Sequence, residues 1–221
     1  MDVQRDTSPV SVITVSRQYG SEGGKIAAQL ASRLHWQLVD HEITAQVARV
    51  LGISEEEATG YDEHTYSFPD RMLLSFQMAF TEVWPNQYTI PNWPLSQERQ
   101  YHEALQRVVK SVAQRDRIVI AGHGVQAILA NRPDALHIRV VAPFLQRVQR
   151  VMQIEQWDEA RSRACVRQKD REQAHYLRSQ YHRNVNDPLL YDLVINSGSL
   201  DLESHVDLIC LALERKTNRL P

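Results

Sequence analysis

The chain has 221 residues, 25 Lys+Arg against 27 Asp+Glu, 43% hydrophobic residues, 24% charged residues and two cysteines. That length suits one ordinary domain with a sizeable core, and the composition excludes a disordered, collagen-like or disulfide-stapled chain. A formal net charge of −2 argues against general binding to nucleic acid or to a membrane surface.

No run of about 18 apolar residues occurs, and residues 1–10, which include Asp2, Arg5 and Asp6, lack the apolar stretch of a signal peptide. Cys165 and Cys210 fall in helical stretches with no partner motif, as packing residues of a reducing compartment would. A cytoplasmic location is the expectation.

In chain order, residues 10–16 (VSVITVS) read as a buried strand, and residues 17–24 (RQYGSEGG) as a turn. Ile26, Leu30 and Leu34 then recur every four residues, predicting a helix over 25–34. Residues 36–39 form a short strand ending at Asp40. Residues 43–51 are helical, and Ser54 with Glu57 makes a capping box for a further helix. Strand, glycine-rich turn, helix and strand together predict a parallel crossover.

From 60 to 94 the pattern weakens. Four of the nine prolines lie there (Pro69, Pro85, Pro91, Pro94), among Phe68, Phe76, Phe80, Trp84 and Trp93. The expectation is a helical insertion at about 61–95, a lobe or an oligomer contact that makes a homodimer plausible. Its aromatics read as packing, since few basic residues are interleaved as a nucleic-acid platform needs.

Regularity returns with helices over 96–114 and 125–130, a strand over 117–121 (RIVIA) leading into Gly122-His123-Gly124, and a strand over 135–142 (ALHIRVVA). Helices follow over 144–153 and 156–183, then a strand over 191–196 and a closing helix over 202–213. Five strands alternating with helices predict an α/β, three-layer sandwich around a five-stranded parallel sheet. The expected core is 10–60 and 96–215, with a lid at about 156–184.

Ligands of such sheets sit beyond the carboxyl ends of the strands. At the first of these ends Gly20, Gly23 and Gly24 let the backbone approach a ligand, and the following helix aims its free amides at the same place. Arg17 and Lys25 flank the loop. A phosphate suits this arrangement; the alternative is a tight turn that merely packs. A full Walker A pattern is absent, with Tyr19 at the first glycine position and Ile26 in place of the hydroxyl residue.

A second signal is basic. Between Arg139 and Arg183 there are ten Lys or Arg and five Asp or Glu. Arg163, Arg167, Arg171 and Arg178 fall within about 80° of one another on a continuous helix. Such a stripe suits a polyphosphate or, alternatively, is a solvated face partly neutralised by Glu159. Metal and nucleophile patterns are lacking: His41-Glu42 is followed by Ala45 where a zinc site needs histidine, and no G-x-S-x-G occurs. His41, His64 and His175 read as surface or packing residues.

In order along the chain, Ser16 to Ala27, Leu38-Val39-Asp40, Val119 to Gly124, Ala135 to Pro143, Asp170-Arg171 with Tyr176, and Asp187-Pro188 through Asn196 resemble the cytidylate kinase-like family. The resemblance implies a P-loop nucleoside-monophosphate-kinase fold using ATP and Mg2+, with CMP or dCMP as the acceptor its name points to.

By carry-over, Gly20, Ser21, Gly23 and Gly24 hold donor phosphates, and Asp40 and His123 lie at the acceptor; Arg17, flanking the loop, is read as a further phosphate-binding residue. Asp170 belongs to the lid, and Lys25, Arg167, Arg171 and Arg178 supply catalytic charge. Three departures remove positive charge: Gly23 replaces the loop lysine, His123 an arginine, and Gln173 a lid arginine. Two functions are therefore carried forward, an ATP-dependent phosphotransferase acting on a small-molecule nucleotide and a non-catalytic nucleotide-binding protein.

Overall fold

The computed structural model describes residues 10–40, 42–62 and 95–218. The strands are β1 (Val12–Arg17), β2 (Gln37–Val39), β3 (Ile118–Ala121), β4 (Ala135–Val141) and β5 (Leu193–Asn196). They form one parallel sheet in the order β2-β3-β1-β4-β5. The helices are α1 (Gly23–Leu34), α2 (Glu42–Leu51), α3 (Glu55–Asp62), α4 (Leu95–Val112), α5 (Val125–Ile128), α6 (Phe144–Glu155), α7 (Glu159–Tyr181) and α8 (Leu202–Thr217).

The sheet is covered on both faces, as expected for β-branched strands with no polar side. Ile13, Val15, Leu136, Ile138 and Val140 pack against Ile26, Leu30, Val206 and Ile209 of α1 and α8. On the other face Val12, Ile118 and Ile120 meet Ile43 and Val47 of α2 and Tyr101, Leu105 and Val109 of α4. The expected three-layer sandwich is what the chain forms. Among the described residues no helix is long and apolar enough to cross a membrane.

Local rules account for the boundaries. The Ser54–Glu57 capping box closes in both directions, the Ser54 amide donating to Glu57 at 3.0 Å and the Glu57 amide to the Ser54 hydroxyl at 3.1 Å. The long helix expected over 156–183 begins later, because Gln156 takes a left-handed conformation (φ 56°) that ends α6 and the Asp158 carboxylate caps α7. The insertion expected at 61–95 lies outside the described residues apart from its ends, as do His41 and His64.

At the opposite end of the sheet from the site, Asp134 accepts from Ser11 and pairs with Arg132. The hydrogen bonds from Arg132 hold the Asp134 carboxyl down at about 2. A carboxylate with a lowered pKa stabilises above its unfolded value, near 3.9, and that contribution disappears as the pH falls toward 2. Urea titrations should show wild type losing about 1–2 kcal/mol over this window relative to Asp134→Asn, less than the full shift because solvent reaches the pair.

Candidate phosphate-binding site

The site begins where β1 runs out. Gln18 stays tied to β4, its amide donating to Val140 and its side-chain oxygen accepting from the Ala142 amide. The chain then turns through Gly20 (φ 75°) and Glu22 (φ 60°) into α1. A Cβ at Gly20 would meet the Arg147 carbonyl oxygen at 2.9 Å, so the turn needs glycine for space as well as for φ.

The loop carbonyls are taken up from behind. Gln173 donates to Arg17 O (3.0 Å), Arg147 to Tyr19 O (3.1 Å) and Ser197 Oγ to Ser21 O (2.6 Å). The first amides of α1, those of Gly23, Gly24 and Lys25, have no carbonyl one turn earlier in the helix. They border an open cleft of about 390 Å3 whose far wall is Ile154 of α6 and Lys169, Glu172 and Gln173 of α7. Free amides and the positive end of a helix at the mouth of a cleft make an anion site.

The anchor is Arg147 of α6, 4% exposed. Its guanidinium grips Asp170 of α7 with two hydrogen bonds of 2.9 and 2.8 Å while also reaching Tyr19 O and Ala142 O. Arg150, one turn on, donates to the Ser197 carbonyl and pairs with Glu22. Tyr19 lies among Val148, Val151, Val166 and Phe144. Burial there, with Cys165 and Glu155 nearby, pushes its phenol up to about 12, so it stays a neutral packing group.

Several expected site residues come together. Lys25 lines the cleft but is salt-bridged to Glu22 at 2.7 Å, and this contact lowers the Glu22 pKa. Arg17 turns toward the second strand end, its Nη2 donating to both Asp40 oxygens at 3.0 and 3.1 Å. A His123 ring nitrogen lies 2.8 Å from the Asp40 carbonyl oxygen. Arg17, Asp40 and His123 thus form one group at the ends of β1, β2 and β3.

Others are placed differently. Ser21 is fully buried and does not line the cleft: its amide donates to Gln18 O, its carbonyl accepts from Ser197, and its hydroxyl has no hydrogen-bond partner among the described residues. Asp170 is the counter-charge of Arg147 and fixes the loop from below instead of facing a ligand as a lid residue.

The arginine stripe is turned away. Arg167, Arg171 and Arg178 are exposed and absent from the cleft wall, with Arg167 resting over the Phe144 ring at 5.3 Å. They lie roughly 120–180° around α7 from Lys169 and Gln173. The solvated-face alternative describes the stripe in this structure.

Sequence reading missed Arg147, Arg150 and Lys169. The first two carried a usable signal: they sit one turn apart just after Pro143, inside an otherwise apolar helix face. Among the described residues no group of three His, Cys, Asp or Glu could hold a metal.

The model of the cytidylate kinase-like family matches residues 12–199. The chain belongs to the cytidylate kinase-like family. Among solved structures it is similar to an uncharacterized protein from Eubacterium ventriosum (17% identity, TM-score 0.64, 92% of this chain and 98% of that one). It is also similar to a gluconokinase from Sinorhizobium meliloti (9%, TM-score 0.54, 96% and 95%) and a shikimate kinase from Bacteroides thetaiotaomicron (13%, TM-score 0.51, 92% and 98%).

At such identities the likeness carries the fold alone, and that fold is the P-loop kinase fold. A uronate isomerase from Corynebacterium glutamicum is 34% identical over 98 residues, 44% of this chain and 19% of that protein. The chain's match therefore spans about a fifth of that curated relative.

The structure also accounts for one departure from the family's parent pattern. A Cβ on residue 23 would lie 2.6 Å from Arg17 Cβ and 3.2 Å from Val140 Cβ. This backbone has no room for the expected lysine, and glycine is what lets α1 start against the strands.

Proposed function

We propose that the protein is an ATP-dependent phosphotransferase of the nucleotide-kinase type, with a nucleoside monophosphate such as CMP or dCMP as acceptor. What carries the reading is the loop whose carbonyls are satisfied from behind and whose helix-start amides border the cleft. The nucleotide fits, since those amides and Lys25 can take phosphate oxygens.

Mg2+ fits as well. It keeps most of its waters and needs only one or two carboxylates beside the phosphates. Glu22 and Glu172 are the carboxylates on the cleft wall that would hold it. Bound there, it would neutralise charge on the phosphate oxygens.

The chain's own part is positioning and charge compensation, with no covalent intermediate. Lys25 and Lys169 now face Glu22 and Glu172. Incoming phosphate competes for both lysines, so binding transfers two cations from carboxylate to ligand. Arg17, fixed by Asp40, marks the acceptor side. A phosphate acceptor is already ionised, so Asp40 orients and need not remove a proton.

The non-catalytic reading is favoured by the absence of a lysine at position 23 and the outward arginines, since each transition-state cation in phosphoryl transfer is worth ~10³ or more in rate. Incubation with ATP, Mg2+ and a panel of nucleoside monophosphates decides between them. The expected result is acceptor-dependent ADP. A melting temperature raised by ATP with no turnover supports the binder, and no shift with any nucleotide removes both readings.

A further inference from the structure

One buried cation takes no part in the site as described. Arg139 of β4 lies directly beside Ser16 of β1 in the parallel register and is 3% exposed. Among the described residues it has no carboxylate partner. Its Nη1 donates to Ser16 Oγ at 2.7 Å and to Gln173 Oε1 at 2.9 Å, and its Nε is buried without an acceptor. Asp170, near enough to act on it electrostatically, is committed to Arg147.

Ser16 and Gln173 both line a cavity of about 20 Å3 at the ends of β1 and β3, closed on its other side by Gly122, His123 and Tyr176. That is room for a single water-sized oxygen. Ser16 Oγ accepts from Arg139, which leaves it one lone pair and its own hydrogen, and among the described residues nothing accepts that hydrogen. The amide of Gln173 is also part of the cleft wall, so one side chain of α7 separates the cavity from the phosphate cleft.

We propose that this cavity is a subsite for one oxygen of a phosphoryl group, bound by the Ser16 hydroxyl and made electropositive by Arg139 behind it. Ser16 would be the contact and Arg139 a positioning residue acting through it. The inference deepens the phosphate-transfer reading and rests on it. A purely structural account makes Arg139 a strut tying α7 to β1 through Gln173. An uncharged side chain would serve that purpose without burying a guanidinium that no carboxylate neutralises.

The test is the melting temperature of the full chain in inorganic phosphate, with and without saturating ADP. Wild type should be stabilised by phosphate on top of ADP. Ser16→Ala removes one hydroxyl and little packing. It should weaken the apparent phosphate affinity about ten-fold and leave the shift by ADP alone unchanged. Arg139→Met should lose the phosphate effect likewise, and Arg139→Lys should retain part of it, a rescue that a neutral strut would not show.

Should Arg139→Met not fold, Ser16→Ala decides. Equal stabilisation of wild type and Ser16→Ala by phosphate, or none of wild type, overturns the subsite. Stabilisation by phosphate that depends on Ser16, with no response to ADP, keeps the subsite and removes the nucleotide reading.

Discussion

Replacing Arg147 by alanine should cost about 3–5 kcal/mol, the range for removing one partner of a buried ion pair. The side chain makes four hydrogen bonds from a nearly sealed position, two to Asp170 and one each to the carbonyls of Tyr19 and Ala142. Without it, two buried carbonyls lose their donor, the Asp170 carboxylate loses its counter-charge and a large cavity opens.

Natural domains have ~5–15 kcal/mol in hand, so the variant would sit near the edge of folding, with a melting temperature lower by about 10 °C or more. Asp170→Asn should follow it at a smaller scale, since the shape survives and part of the pair is solvent-accessible. Arg163→Ala serves as the control. That arginine pairs with Glu159 one turn away on the exposed surface, where such contacts are worth ~0.5 kcal/mol. Chemical denaturation of the three variants checks the ordering; comparable losses for Arg147 and Arg163 would show that the loop is not held through α6.

The ordering also explains which parts of the site could be read from sequence. Strands β1, β3 and β4 are continuous apolar runs, and α1 shows its buried stripe at spacings of four, so the sandwich and the position of the glycine loop follow from periodicity. Asp40 and His123 fall at strand ends by the same logic. The arginines of α7 fail for a definite reason. Spacing shows which residues share a helix face but not which face is turned inward, and here the inward face is mixed, with buried Val166, Tyr176 and Leu177 interleaved with half-buried Lys169, Asp170, Glu172 and Gln173. With polar groups on both sides, hydrophobic contrast gives only a weak direction. The more visible stripe, the basic one, was the one left in solvent.

The polar groups on the inner face also change what α7 does. Asp170 and Gln173 hold Arg147 and Arg17 O, so the helix that would carry a lid is bolted to the loop it would cover. Motion of α7 is then coupled to the loop backbone instead of being independent of it. Nucleotide entering the cleft would have to displace Glu22 and Glu172 from their lysines, and the cost of doing so offsets part of the binding energy. Added salt screens these competing ion pairs as well as the attraction between lysine and phosphate, so phosphate affinity should fall only shallowly as salt rises.

Gly23→Ala should be nearly as damaging to the loop as Arg147→Ala, through a single added methyl group. The new Cβ would fall 2.6 Å from Arg17 Cβ and 3.2 Å from Val140 Cβ. Both obstructing atoms are rooted directly on strand backbone in the centre of the sheet, so neither can swing aside as the end of a long side chain could.

Relief requires α1 to move away from β1 and β4, at about 3 kcal/mol, the upper part of the range for overpacking. The displaced part is the helix start, so stabilisation by ATP should vanish along with the lost stability.

Gly24→Ala is the matched comparison: a Cβ there meets nothing within 4 Å, and alanine in a helix is worth ~0.5–1 kcal/mol over glycine. Adjacent glycines in one helix turn should therefore respond with opposite signs in urea denaturation. A Gly23→Ala protein as stable as wild type and still stabilised by ATP would mean that α1 does not start against the strands, and the anion site built on that contact would fall with it.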